Sequence, residues 1–376
     1  MKILMLNYEF PPVGGGGGVA SYKLAKGFIK LGHQVDYITS SYKNLKKREI
    51  IDRIKIYRVF SPTRKDRATA SFISMLCYDF FAILQGIKLC QKNKYDFINT
   101  QFAIPTGPVG IILSKIFKIK NILTLLGGDI YDPSKKSSPH LHWYWRIIVR
   151  FIINNADVLT CEAKDVQKNT LKYFHPKKEI HVIPLPYERF KFKKTNKEKL
   201  GMSKNKFYLI SVGRLVERKG YKYLIKALSL LPNKIHLNLI GDGPLENQLK
   251  NLSKKLKVDN RIDFLGFIPE EKKFQYLANS DLYVLPSLHE GFGIVLQEAM
   301  QVGLPIVATD NGGQVDFIKN GLNGFMIKPK NSVLLAEKIL IFFKKNNIRK
   351  DISKNNLNII NKFNVKIIAK NYLNTL

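Results

Sequence analysis

Cysteine is nearly absent: Cys77, Cys90 and Cys161 are too few and too scattered in 376 residues for a disulfide framework or a zinc site. They fit a reducing compartment and read as small buried apolar side chains. Acidic residues are scarce as well, 29 against 62 Lys and Arg, which leaves a formal net charge of +33. Long hydrophobic runs are missing. The most apolar stretch, Phe72 to Cys90, is interrupted by Asp79, Gln85 and Lys88 and reads as too polar for a ~20-residue membrane span. The opening MKILMLNYEF turns from a short apolar run into prolines and glycines, unlike a signal peptide. No group of His, Cys, Asp and Glu has metal-ligand spacing. A soluble cytoplasmic protein is the expectation.

What is present is an ordinary globular composition, 45% hydrophobic and 24% charged, and at ~150 residues per domain the length suggests two domains. The basic excess is spread over both halves, and only 12 of the 62 cations are Arg. A nucleic-acid patch is more local and richer in Arg, so nucleic acid is not the expected partner. An AT-rich coding bias accounts for Lys, Asn and Ile together. The densest segment, Lys43 to Arg67, sets ten basic residues against Glu49, Asp52 and Asp66 and mixes them with Ile50, Ile51, Ile54, Ile56, Tyr57 and Phe60. That mixture suits an anionic membrane surface.

Along the chain, short apolar runs alternate with helical spacing, the pattern of parallel strands covered on both faces. Strands are expected at 2–7, Gln34–Thr39, Asp96–Thr100, Ile122–Leu126, Asp157–Thr160 and Ile180–Ile183, with a first helix from Val19 to Leu31. Periodicity fails after Ile183 in a Pro- and Lys-rich stretch. It resumes at Tyr208–Val212, Ile235–Ile240, Ile262–Leu265, Leu282–Leu285, Ile306–Ala308 and Phe325–Ile327. The reading is α/β: a first domain over 1–185, a linker over 186–205, a second domain over 206–350, and a helical stretch 351–376 packing back on the first.

The loops at the strand ends carry the chemistry. Gly14 to Gly18 lie between the first strand and first helix, where glycine lets backbone N–H groups approach an anion. No Lys-Ser/Thr follows, so this is not a Walker loop. A loose G-x-G-x-x-A runs through Gly15, Gly17 and Ala20, but the acid expected at the end of the second strand is missing. Asp36 falls mid-strand, which disfavours an NAD-dependent dehydrogenase. In the second half, Arg214 and Lys219 in GRLVERKG sit beyond a strand end, and a guanidinium with an ammonium there suits a diphosphate. In PSLHEGFGIVLQEAM a glycine-punctuated loop enters a helix, so free N–H groups of Gly293 to Val295 favour phosphate. Glu290 in that loop and Glu298 on the helix suit sugar and ribose hydroxyls and do not form an obvious acid–base pair.

The succession GRLVERKG, GDGP, FLGFIP and HEGFGIVLQEAMQVGLPIVATDNGG resembles the retaining glycosyltransferases of family 4 type, with the GT-B fold. Pro11, Pro12, Gly15, Gly16 and Gly32-His33 are similar to the N-terminal signature of that family. The resemblance implies two doubly wound Rossmann-like domains facing a central cleft and a retaining, metal-independent hexosyl transfer. It implies no cofactor, because the nucleotide-sugar is a substrate. Arg214 and Lys219 would neutralise the donor diphosphate, and Glu290 would take the transferred sugar, these three being the catalytic set. Glu298 would hold the ribose. The N–H groups of Phe292, Gly293, Ile294 and Val295 would lie beside the donor, the backbone of Phe267 and Ile268 would meet the base, and Gly15 and Gly16 would close over the diphosphate. Asp129 would lie on the acceptor side.

The family pattern T-x-H-G-x-D is departed from in Thr124-Leu125-Leu126-Gly127-Gly128-Asp129, where Leu126 replaces a His, and Gln101 replaces another at the preceding strand end. The partners implied are a UDP- or GDP-sugar and a glycan or glycolipid acceptor of envelope polysaccharide assembly, met at the inner face of the membrane. A nucleotide-sugar epimerase or a non-catalytic nucleotide-sugar-binding protein are the competing readings.

Overall fold

The computed structural model describes residues 1–63 and 71–376 and divides them into two compact units, one of 1–188 with 363–376 and one of 189–362. Arg64 to Arg67, the end of the basic segment singled out above, lie outside the described residues.

The first unit runs β1 (Lys2–Leu6), α1 (Gly16–Lys30), β2 (Gln34–Ser40), β3 (Arg48–Ile51), β4 (Ile54–Val59), α2 (Phe72–Lys92), β5 (Phe97–Gln101), α3 (Gly107–Phe117), β6 (Lys120–Leu125), α4 (Trp143–Asn155), β7 (Val158–Cys161), α5 (Lys164–Phe174) and β8 (Ile180–Val182). Its sheet has the order β3-β4-β2-β1-β5-β6-β7-β8, parallel except for the β3–β4 pair. Strand β1 shows why apolar runs are needed. Ile3 and Met5 face one core with Phe28 and Tyr37, while Leu4 and Leu6 face another with Tyr78 and Leu113. Both faces are covered, and each fully buried side chain contributes ~1.5–3 kcal/mol.

The second unit runs β9 (Phe207–Val212), α6 (Tyr221–Ser229), β10 (Ile235–Ile240), α7 (Glu246–Lys255), β11 (Ile262–Gly266), α8 (Glu270–Asn279), β12 (Leu282–Leu285), α9 (Ile294–Gln301), β13 (Ile306–Thr309), β14 (Phe325–Ile327), α10 (Ser332–Lys344) and α11 (Asn346–Ile359). Its sheet order is β11-β10-β9-β12-β13-β14, all parallel. Both sheets are of the doubly wound Rossmann type that the alternation predicts.

The stretch expected as a linker is packed instead. Phe190 and Phe192 stack on Phe274 at 4.9 and 5.6 Å, and the Gln301 side chain exchanges two hydrogen bonds with the Phe190 backbone. Aromatic residues among lysines gave no period, yet they have a core to join. The terminal stretch expected as one helix divides: α11 stays with the second unit, and α12 (Val365–Leu373), capped by Asn364, packs on α1 in the first.

Helix α2 meets the length and composition of a membrane span, against the expectation that its polar residues disqualify it. It is nevertheless a crossover helix that turns Ser74, Tyr78, Ala82 and Leu89 onto the sheet. Its one acid, Asp79, has a buried Oδ1 without a partner, and burial pushes its carboxyl up to about 8. Between about pH 4 and 8 the native state therefore keeps a proton that the unfolded chain has lost. Stability falls as pH rises through that window, by up to ~1.4 kcal/mol per unit. Asp79→Asn is expected to match the native chain near the lower limit and to exceed it progressively towards about pH 8, as measured by denaturant unfolding at both ends.

Candidate functional site

In the second unit, three strand-end loops converge, those after β9, β12 and β13. Two glycines permit it. Gly220 has φ +66°, and a Cβ there would collide with the Pro286 carbonyl oxygen; Gly312 has φ +122°, and its Cβ would strike the Glu290 backbone. So closely approached, the loops are stitched together. The Glu290 N–H donates to Asn311 O (3.2 Å), the Gly313 N–H to Glu290 O (2.9 Å), and the Leu288 N–H to Arg218 O (2.7 Å).

Glu290 is the centre. Its Oε1 accepts from Lys219 Nζ (2.5 Å) and Ser287 Oγ (2.6 Å), and its Oε2 lies 3.4 Å from Arg218 Nη1, which also donates to the His289 carbonyl. The residue is 5% exposed. Burial alone would raise its pKa, but the charges of Lys219 and Arg218, with hydrogen bonds from Lys219 and Ser287, hold it at about 2. At any neutral pH Glu290 is an ion that accepts hydrogen bonds and does not carry protons. Arg218 and Ser287 were not anticipated. Arg214, two residues beyond β9, is exposed.

Gly293, at φ +97°, turns the chain into α9. The first-turn N–H groups of Ile294 and Val295 cannot be satisfied by the helix itself, and Phe292 is buried against Phe317, ring centroids 4.8 Å apart. Glu298, farther along α9, is 7% exposed and accepts from Lys273 Nζ at Oε1 (2.8 Å). Its Oε2 is buried with no partner, the condition of an acceptor that awaits donors. Lys273, also unanticipated, is pulled down by burial but held above its ordinary value by Glu298 and Glu270. Phe267, expected near a base, is exposed, and Ile268 beside it is half-buried.

In the first unit the glycine loop corrects an expectation. The N–H groups of Gly15 and Gly18 are not free, because both donate to Glu9 Oε2, at 2.9 and 3.1 Å. The chain folds back through Pro11-Pro12, with Val13 N–H donating to Phe10 O (2.8 Å), and brings the carboxylate onto the helix start. Capped in this way, α1 begins at Gly16, three residues before the apolar period indicates.

Asp129 has a structural use in the fold. It is buried, and its carboxylate accepts the N–H groups of Ala103 (2.5 Å) and Leu126 (3.0 Å), tying two strand-end loops together. Its carboxylate is thus engaged by the backbone of both loops. Gln101 points inward, donating to Asn99 and Thr124. Leu126 is 7% exposed and packs with Phe102 against Gly17. Asp36 accepts from Tyr95 at 2.5 Å within the sheet, a structural use of the acid that a dinucleotide fold would need elsewhere.

The basic segment is equally reassigned as far as it is described. Ile54 and Ile56 belong to the core, and Arg58 is buried, ion-paired with Glu49 and set over the Phe10 ring. The segment forms β3 and β4, whose charged alternation hid them. Its Ile50 and Phe60 side chains are exposed, and residues 64–67 lie outside the described residues.

The described geometry can be set beside known proteins. Residues 14–188 match the family described as Glycosyltransferase Family 4, and residues 192–358 match Glycosyl transferases group 1. The chain is 30% identical to the UDP-Gal:alpha-D-GlcNAc-diphosphoundecaprenol alpha-1,3-galactosyltransferase of Escherichia coli, over 80% of this chain and 81% of that one. It is 27% identical to the N-acetyl-alpha-D-glucosaminyl L-malate synthase of Bacillus anthracis, over 91% and 88%. Among solved structures it resembles sucrose-phosphate synthase from Thermosynechococcus elongatus (TM-score 0.85, 20% identity, 100% and 98% coverage). It also resembles Anabaena HepE in complex with UDP-glucose (TM-score 0.79, 23% identity, complete coverage of both chains). The fold shared with these neighbours is GT-B.

Proposed function

Because the chain belongs to the group 1 glycosyltransferases, we propose that it moves a hexose-type sugar, with retention, from a UDP- or GDP-sugar to a lipid-linked glycan acceptor of envelope polysaccharide assembly. The observation that carries the reading is the buried Glu290–Lys219–Arg218 constellation beside the start of α9. The glycan-diphospholipid named for the Escherichia coli relative and the UDP-glucose bound by Anabaena HepE support the two substrate classes.

Bond cleavage at the anomeric carbon loads negative charge onto the departing diphosphate. Lys219 and Arg214, with the first-turn N–H groups of α9, supply charge and donors for it from the second unit, and one such donor is worth ~3 kcal/mol. Glu290, permanently ionised, is suited to fix the hydroxyls of the transferred sugar. Glu298 offers its unpartnered Oε2 to the ribose. The leaving phosphate would take the acceptor's proton on the face it departs from, so no side chain on this list has to titrate.

The test is product formation from UDP- and GDP-sugars with and without a glycan-diphospholipid acceptor. Sugar appearing on the acceptor supports the proposal. Epimerised donor without acceptor, or binding without turnover, overturns it. Leu126 bears on the same assay, standing where the family pattern has a His. Leu126→His is expected to raise kcat by up to ~10-fold, the value of one added hydrogen bond near the reacting sugar. An unchanged kcat would show that the apolar wall of Leu126 and Phe102 suits the native donor.

A further inference from the structure

Helices α2, α3 and α4 stand side by side on the first unit, α3 packing against both of the others. Each seats one stripe on the protein and leaves another bare. On α2, Leu76, Phe80 and Leu84 recur every fourth residue opposite the buried Tyr78 and Ala82. On α4, Trp143, Ile147 and Phe151 do the same opposite Val149 and Ile153. Phe80, Phe151 and Trp143 are 59, 62 and 73% exposed. The stripes meet where Phe72 lies edge-on to Trp145, centroids 6.3 Å apart. Single exposed apolar residues need no explanation, but two stripes of large side chains joined by the Phe72–Trp145 contact are of the kind that marks a docking surface.

Charge identifies the occupant. The three helices hold one acid between them, Asp79, whose carboxyl burial keeps protonated at neutral pH, and they carry Lys88, Lys92, Lys115, Arg146 and Arg150. A second copy of a chain with net charge +33 would bring like charge against like. Aromatic and aliphatic stripes with cations and no ionised acid are what an anionic bilayer interface accepts.

We propose that the outward face of α2, α3 and α4 seats this protein on an anionic membrane. This rests on, and deepens, the reading of a lipid-linked acceptor. Phe72 and Trp143 open helices that follow strands at their carboxyl ends, the side on which doubly wound sheets take their ligands. A diphospholipid lying in that membrane meets the acceptor side of the first unit.

The experiment is co-sedimentation of the full chain with phosphatidylcholine vesicles, with and without phosphatidylglycerol, and thermal stabilisation by UDP and GDP on the same samples. Binding is expected to require phosphatidylglycerol and to weaken with salt. The double variant Phe80→Ser/Phe151→Ser should partition at least about tenfold more weakly while keeping the nucleotide response, which certifies its fold. Arg150→Gln should weaken binding less and reduce its salt dependence. Native binding that ignores phosphatidylglycerol, a double variant that sediments like the native chain, or a native dimer abolished by the double substitution would each overturn the proposal. Vesicle binding without any nucleotide response would leave this docking face standing and remove the transferase reading; the reverse pair of results would do the opposite.

Discussion

Lys219→Met is expected to reduce sugar transfer by about a thousandfold and to destabilise the second unit by ~3 kcal/mol or more. Both effects come from one ammonium. Lys219 is 2.5 Å from Glu290, and the two side chains are only 11 and 7% exposed, so solvent does little to screen them. Removing the ammonium leaves a buried carboxylate with the Ser287 hydroxyl, and with Arg218, at 3.4 Å, as its one described counter-charge. It also removes a charge that, in the proposed reaction, meets the departing diphosphate.

The acid limb of the stability profile separates the two effects. Glu290 is lowered from 4.5 to about 2 in the fold, so its contribution is complete above about pH 4.5 and is lost as pH falls towards about 2, ~3 kcal/mol in all. In Lys219→Met, desolvation dominates and that acid loss should shrink or change sign. Adding Glu290→Gln to Lys219→Met should recover much of the stability, because the orphaned charge is gone, and none of the turnover. Denaturant titration from about pH 3 to 7, with kcat on the same proteins, measures both. Full activity in Lys219→Met would remove this lysine from the site.

Glu298→Ala is expected to weaken nucleotide binding by about a hundredfold. Two hydroxyls donating to a buried carboxylate are together worth ~3 kcal/mol. A native chain at a hundred times its Kd gains ~2.7 kcal/mol of stability, and nearly all of that gain should vanish in the variant at the same ligand concentration. Glu298→Gln keeps the shape and one acceptor and should fall between them. Thermal unfolding with UDP, GDP, ADP and NAD reads this directly and names the base. If Glu298→Ala retains the full nucleotide shift, the ribose is held elsewhere.

The two sheets were legible because their strands are buried on both faces, so β1 or β9 reads as an unbroken apolar run and glycine marks the following loop. The burial of Glu290 and Glu298 follows from a related signal, an ionisable group inside a glycine-punctuated loop or on an apolar helix. Strands β3 and β4 were not legible, since Arg58 and Glu49 form an ion pair inside what looks like a run of solvated charge. Lys273 was hidden in the same way: within EEKKF nothing distinguishes the lysine that turns inward from its neighbour that does not. Arg218 was hidden by standing next to Lys219, where one cation seemed enough. Glu9 was hidden by distance, because only the fold-back at Pro11 and Pro12 returns it to the glycines.

That fold-back makes the glycine loop its own first customer. With Glu9 already seated on the N–H groups of Gly15 and Gly18, the loop stays ordered while it waits, and any newcomer must evict a tenant of the same sign. What the loop can offer an anion is thus a difference between two occupancies. A singly charged carboxylate from solution gains almost nothing by the exchange, whereas a group with more charge and more oxygens than Glu9 can win it. A tethered carboxylate at high local concentration thus competes with every free anion for the same two N–H groups.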